Sequence, residues 1–386
     1  MADKPRFEGE RAKLGDLISP FTKRNKDVLC TDVYSVTNSR GFTPSEDYFS
    51  KEVFSKDLKT YRIVKQGMIA YNPSRINVGS IAIQDKLPEV VVSPLYIVFE
   101  TDKSRLLPEY ALGFLRSKPG LDQIAFQSIG TVRNNLKYDA LCRITINLPS
   151  LNRQRACIDQ LNRIASIIEL LNRYIAELDA LVKSRFVEMF GEPTTRCGRW
   201  PLVRLDSFAQ VVTGNTPSRK NPEYYGEGIE WVKTDNIVNS AITASAEQLT
   251  ETGRAKARIA PAGSILMACI AGSVNSIGKV GLLDREAAFN QQINAIVPSC
   301  GVNSRFLLTM LTLSKDYLCS DVNQQLKGIL NKTALSAKQF PLPPFELQQQ
   351  FASFVAQIDK SRFVVLNEKI SRIQHISRRI AHGYSR

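Results

Sequence analysis

Only two histidines, His375 and His382, occur in the chain, and both lie near its C-terminal end. Imidazole is the usual acid–base and metal-binding group near neutral pH, so histidine-centred chemistry is nearly excluded from everything before them. Gly272 and Gly278-Lys279 approach a phosphate-cradling loop, but five residues separate the glycines where four are needed. Val280 also stands where a Ser or Thr would hold a metal. Leu342-Pro343-Pro344-Phe345 is the nearest stretch to the Asn/Asp-Pro-Pro-Tyr/Phe of an amino-methyltransferase, and leucine offers the amino group no acceptor. Asp57-Leu58-Lys59 has the carboxylate-x-Lys spacing of a metal-dependent nuclease but no Pro-Asp pair ahead of it, and reads as a solvated charged turn. No two of the seven cysteines (Cys30, Cys142, Cys157, Cys197, Cys269, Cys300 and Cys319) share the C-x-x-C spacing of a zinc or redox site. No catalytic centre is expected in this chain.

What the residues can do is bind. Lys and Arg number 51 against 37 Asp and Glu, a net charge of +14, which points to an anionic partner. Nucleic acid is the commonest one, because neutralising its phosphates releases condensed counterions. The hydrophobic share of 43% is enough for real cores, and 386 residues suggest two or three domains. Scattered cysteines in odd number read as reduced thiols. The start at Met1 lacks the apolar stretch of a signal peptide, and no run approaches a membrane span. A cytoplasmic protein with no membrane partner is expected.

The elements that must position binding residues are written twice. Ile63–Ala70, with Gly67, is matched by Ile259–Leu266, with Gly263. Gly79 is matched by Gly278, Gly130 by Gly328 and Pro149 by Pro343, in the same order at nearly constant separation. The clearest strands of the first half are Val90–Val92 and Tyr96–Phe99. Each half then ends in a helix. Leu161, Ile164, Ile168, Leu171, Ile175, Leu178 and Val182 alternate three and four residues apart, the apolar seam of a coiled coil. The second helix carries Phe351, Val355, Ile358, Val365, Leu366, Ile370, Ile373, Ile376 and Ile380, with Arg362 where an apolar residue is due. Neither helix can bury its stripe alone, so the two are expected to pack on each other. Gly191 and Pro193 form a stop signal at the junction. The expected division is a module over 1–149, a helix over 150–192, a second module over 193–343 and a second helix over 344–386. The fold class is α+β: two similar mixed α/β modules separated by two long helices forming an antiparallel coiled coil.

With these residues in place, the sequence resembles the specificity (S) subunits of type I restriction-modification systems over essentially its whole length. Ser184–Pro193 looks like that family's central region. Trp200–Leu205 and then Val212-Thr213-Gly214-Asn215-Thr216-Pro217-Ser218 look like the opening of a target recognition domain, and Trp231–Asp235 fits the family's next segment. Leu148-Pro149 to Gln154 and Leu342-Pro343 to Gln348 have identical spacing at the head of each helix. The first module departs: Lys13–Leu17 fits, but Gly41-Phe42-Thr43-Pro44-Ser45 comes much later than its counterpart.

The resemblance implies two target recognition domains, each reading one half of a gapped site on double-stranded DNA. It also implies helices that space the readers and dock methyltransferase subunits, two in number. S-adenosylmethionine, ATP and Mg would then belong to those partners and to restriction/translocase subunits, with no cofactor and no metal in this chain. A helix of about 33 residues is ~50 Å long, which would hold two readers roughly 15 base pairs apart at about 3.4 Å per pair. Base edges are read by Arg, Lys, Asn and Gln, and phosphates by Lys and Arg. The candidates in the first module are Arg75, Asn77, Arg133, Asn134 and Asn135, with Lys23 and Arg24 on phosphates. Those in the second are Arg219, Lys220, Lys233, Asn275, Lys279, Lys327, Asn331 and Lys332. Two other classes stay open from the residues alone: a stand-alone nuclease or methyltransferase with an unfamiliar site, and a coiled-coil adaptor whose modules bind protein.

Overall fold

The computed structural model describes residues 9–38, 40–48, 57–128, 135–194, 199–237, 239–242, 245–270, 276–320 and 329–384, with side chains to 46 in the second stretch and to 373 in the last. The chain forms two compact units. The first takes residues to Leu171 and from Asn367 onward; the second is Asn172–Leu366. Each long helix therefore contributes one part to each unit.

In the first unit, Glu10–Lys13 pairs antiparallel with Thr145–Leu148, the strand that leads into the first long helix. A four-stranded antiparallel sheet has the order Ile18–Pro20, Ile97–Thr101, Ile69–Tyr71, Ile81–Ile83. Arg62–Lys65 pairs separately with Glu89–Val92. Strand faces carry the core: Ile69, Tyr71, Ile81 and Phe99 pack with Tyr110 and Phe114 of the helix Pro108–Arg116. That helix starts at proline, whose missing N–H costs nothing in a first turn.

The second unit repeats this plan. Leu202–Arg204 pairs with Gln339–Pro341 ahead of the second long helix. The sheet runs Ala209–Thr213, Ile293–Pro298, Ile265–Ala268, Val280–Leu283 with the same antiparallel pairings, and adds Ala241–Ile242 in parallel at its edge. Ile259–Ala260 pairs with Ala287–Phe289 as its counterpart does in the first unit. The repeat thus extends from landmarks to strand order. Gly67 and Gly263 hold φ of 86° and 84°, and Gly79 and Gly278 hold 91° and 75°. Left-handed turns are the physical reason glycine recurs at both pairs. Gly130 and Gly328 lie outside the described residues.

The long helices span Leu151–Phe190 and Phe345–Tyr384, 40 residues each. The first runs to Phe190 because only Gly191, at φ 82° with its N–H donating to the Val187 carbonyl, ends it. Its seam shows in burial: Leu161, Ile164, Ile168, Leu171 and Ile175 are half-buried, and Leu178 and Val182 buried, while flanking positions such as Asn162, Arg163 and Glu177 are exposed. Within the second unit the two helices meet. Phe186 and Phe190 pack edge-on against Phe351, 5.4 and 5.6 Å between ring centroids, and Asp179 pairs with Arg362. Partners descend along one helix as they ascend along the other, so the pair is antiparallel. Phe306 of the module joins the same aromatic cluster, and Val355 completes it with Ile358 packed alongside.

The second seam departs from expectation at its far end. Ile370 and Ile373 are 51% and 41% exposed, whereas Val365 is buried. Continuing the alternating spacing from Phe351 through Val355, Ile358, Arg362 and Val365 leads to Lys369 and Arg372, so Ile370 and Ile373 each sit one position off the seam. No described helix is long and apolar enough to cross a membrane.

Candidate nucleic-acid interface

The polar candidates fall at matching corners of the two modules. In the first, the strand Ile69–Tyr71 runs into a turn closed by Ser74 N–H on the Asn72 side chain, then into the 3-10 turn Ile76–Val78. Arg75 and Asn77 are exposed there. Leu136 donates its N–H to the Pro73 carbonyl at 3.0 Å, and Tyr71 Oη donates to the Leu136 carbonyl, so the segment starting at Asn135 is tied to this turn. Asn135 Oδ1 is buried with no hydrogen-bond partner among the described residues. Arg133 and Asn134 lie outside the described residues. Burial drives the Tyr71 hydroxyl far above its ordinary range, fixing it as a donor.

In the second module the corresponding strand Ile265–Ala268 ends at Cys269, whose carbonyl accepts the Leu330 N–H at 3.0 Å. Lys279 follows the Gly278 turn beside this strand end. Asn331 Oδ1 caps the helix Lys332–Ala337 by accepting the Ala334 N–H at 2.8 Å, so its acceptor is committed to the fold. Lys332 is exposed in the first turn of that helix. Asn275 and Lys327 lie outside the described residues.

Two further groups stand apart from these corners. Lys23 and Arg24 are exposed on the segment that bridges to Arg62. The Arg62 guanidinium is held below its usual range by burial and then by Arg24, and it donates to the Pro94 carbonyl. Arg219, Lys220 and Lys233 gather in the second module. Arg219 lies 4.3 Å over the Tyr225 ring and 5.2 Å from that of Trp231. Its Nη2 donates to Glu247 Oε2 at 2.6 Å, and Lys233 pairs with the other oxygen of the same carboxylate. Those two contacts, the one to Lys233 foremost, hold Glu247 below the usual carboxylate range. Glu247 was not anticipated; no local pattern ties it to Arg219, 28 residues earlier.

The segment Val212–Ser218 is the frame for Arg219. A Cβ on Gly214 would sit 2.2 Å from the Asn290 carbonyl oxygen and 2.5 Å from that of Phe289, so only glycine fits. Asn215 donates to the Lys256 carbonyl and accepts from the Arg258 N–H, both at 2.7 Å. Tyr225 Oη donates to the Pro217 carbonyl at 2.7 Å. By contrast, Asp57 accepts from the Lys59 N–H within a local turn, as expected of solvated charges.

A family model for the type I restriction modification DNA specificity domain matches the chain twice, over residues 13–180 and 198–375. The chain belongs to this family. Each match takes in one module and most of its long helix, so the specificity-domain repeat and the structural repeat coincide. Among curated relatives, the type I restriction enzyme HindI specificity subunit of Haemophilus influenzae is 31% identical over 115 residues, 29% of this chain and 24% of that protein. The MjaIX specificity subunit of Methanocaldococcus jannaschii is 29% identical over 194 residues, 46% of this chain and 43% of that one. The matched region thus spans less than half the length of either relative. A chain solved in work on complex assembly and conformational transition of the type I R-M system is 16% identical, with a TM-score of 0.58 over 98% of both chains. At that identity the likeness is one of fold: two mixed α/β modules and two long antiparallel helices.

Proposed function

We propose that the chain is the DNA-reading subunit of a type I restriction-modification complex, with each specificity domain reading one half of a gapped site. The observation that supports this most is the double family match lying over two modules of the same strand order. A two-fold repeated reader suits a bipartite target, and the charge of +14 suits a polyanion. The cations and amides at matching corners, exposed Arg75 and Asn77 in one module and half-buried Lys279 and exposed Lys332 in the other, are the candidate contacts, with Lys23, Arg24 and Lys220 on phosphates.

In this reading the chain contributes recognition and docking and has no catalytic centre. Two methyltransferase subunits bring S-adenosylmethionine and methylate adenine; restriction/translocase subunits bring ATP and Mg chemistry. The assembly works on DNA in the cytoplasm. The test is co-purification with the methyltransferase subunit, followed by mapping of methylated adenines in DNA modified by the complex. One gapped motif that disappears when this chain is deleted, and changes by one half when one module is exchanged, is the expected result. Methylation unaffected by deletion overturns the proposal.

A further inference from the structure

We propose that Arg219 is the guanine-reading side chain of the second module and that Glu247 is the positioning residue that aims it. This rests on the DNA-reading function above and gives it a base and a mechanism.

An exposed arginine usually samples many rotamers, and ordering it on binding is costly. Arg219 is held in place before any ligand arrives. Glu247 Oε2 accepts an N–H from Nη2 of its guanidinium, and the Tyr225 and Trp231 rings lie against it. Those supports are themselves fixed. Tyr225 is anchored through its hydroxyl to Pro217 and packs edge-on to Trp231 at 5.7 Å, and Trp231 is 3% exposed. Glu247 is gripped from its other side by Lys233, whose ammonium is 5.1 Å from the Trp231 ring.

What is left outward is a flat fork of donors on a side chain that remains 56% exposed. Guanidinium has five N–H donors, of which the carboxylate takes one, on Nη2. The major-groove edge of guanine offers O6 and N7, two acceptors at the spacing of that fork. A phosphate also takes a guanidinium fork but is served as well by a point charge such as lysine, whereas discrimination between base edges depends on a fork held in a fixed plane. Lys220, one residue on, is exposed and has no ion pair among the described residues, and it suits a phosphate. The arrangement therefore separates a reader from a neighbouring anchor.

The test is selection of bound sequences from a randomised duplex pool by the assembled complex, using wild type, Arg219→Lys, Glu247→Gln and Lys220→Gln. The wild type is expected to fix a guanine at one position of one half-site. Arg219→Lys keeps the charge and removes the fork, so other bases enter at that position alone, with affinity for the original site down on the order of ten- to a hundredfold. Glu247→Gln relaxes the same position to a smaller degree, although it does not touch the DNA. Replacing that guanine by 7-deazaguanine, which lacks the N7 acceptor, costs the wild type more affinity than it costs Arg219→Lys. Lys220→Gln keeps the motif and lowers the slope of log affinity against log salt by about 0.9. A wild-type motif without such a guanine overturns the assignment, as does an Arg219→Lys complex that selects the wild-type motif or weakens on all sequences alike. A wild-type complex that selects no motif at all is a separate result, because it overturns the DNA-reading function itself.

Discussion

Gln154 and Gln348 make the same hydrogen bonds in the two modules. Gln154 donates to the Pro149 carbonyl at 2.9 Å and to the Arg105 carbonyl at 2.7 Å, and accepts the Leu107 N–H at 2.9 Å. Gln348 donates to Pro343 at 2.8 Å and to Gly301 at 3.5 Å, and accepts the Asn303 N–H at 2.9 Å. Leu107 and Asn303 each precede the first residue of the module's own helix. One buried amide therefore pins each long helix to the loop that starts a module helix, which explains why the spacing from Leu-Pro to Gln is kept in both halves.

Removing either amide takes the partner from three backbone groups, one buried and two partly buried. Gln154→Ala and Gln348→Ala are each expected to destabilise their unit by about 2–4 kcal/mol. The effect at Gln154 should be the larger, since the 3.5 Å bond to Gly301 is weak. Both tryptophans, Trp200 and Trp231, lie in the second unit, so their fluorescence during urea unfolding reports on that unit. Gln348→Ala should move the tryptophan transition to lower urea. A tryptophan transition that stays at the wild-type midpoint in Gln348→Ala would contradict the pinning role.

Gly214→Ala places a methyl between two backbone carbonyls that cannot retreat as side chains do. Overpacking of this kind costs about 1–3 kcal/mol. Because Gly214 sits at the head of the loop carrying Arg219, the tryptophan transition should shift downward, and DNA affinity should fall along with it. Wild-type stability in the alanine variant would mean that the loop has room the structure does not show.

How much of this was legible in the sequence depends on the range of the interaction. The repeat was readable because left-handed turns demand glycine locally, at Gly67 and Gly263, and because the Gln anchors recur at fixed spacing. The first seam was readable because its apolar residues keep strict spacing. The second misled at Ile370 and Ile373, because hydrophobicity marks those two residues while the helix geometry carries the seam through Arg362 and past them. Glu247 was invisible for another reason. Its partners lie on other strands and loops, and a search for cations by charge passes over the carboxylate that organises them.

Arg362 occupies a seam position yet bonds outward at both ends. It pairs with Asp179 of the first long helix and with Asp359 at 2.7 Å, and Asp359 in turn pairs with Arg305 of the module. Its Nε is buried with no hydrogen-bond partner among the described residues. Exposed pairs of this type contribute little, and a buried polar group at a seam sets register at some cost in stability. Arg362→Leu is therefore expected to unfold no more easily than wild type. A drop of more than about 2 kcal/mol, beyond what partly exposed pairs supply, would show that the ion chain itself holds the helices.

Thiol reactivity should separate two cysteines of one module. Burial pushes the Cys269 thiol up to about 12, while Cys300 is exposed. Reaction needs an accessible thiolate. At pH 8 a small alkylating reagent should modify Cys300 in the native protein and reach Cys269 only on unfolding, as peptide mass mapping would show. Equal labelling of the two in the native state would place Cys269 outside the core.

The Glu247 cluster also gives a pH signature. Its carboxyl is held below the ordinary 4.5 by the hydrogen bond from Lys233 and then that from Arg219. A depressed folded value stabilises the native state above the unfolded value and loses that contribution as pH falls through the folded one. The melting-temperature gap between wild type and Glu247→Gln should therefore be constant above about pH 5.5 and shrink below about pH 4.5. Salt should narrow the gap at neutral pH, because the carboxylate is one-third exposed. Acid sensitivity should persist in the variant through Glu230. Burial raises that carboxyl, but hydrogen bonds from Ser245 and Gln248 outweigh it and leave it below its usual range. A gap that widens toward acid pH would mean that Glu247 is protonated in the native state, and the clamp on Arg219 would then need another source.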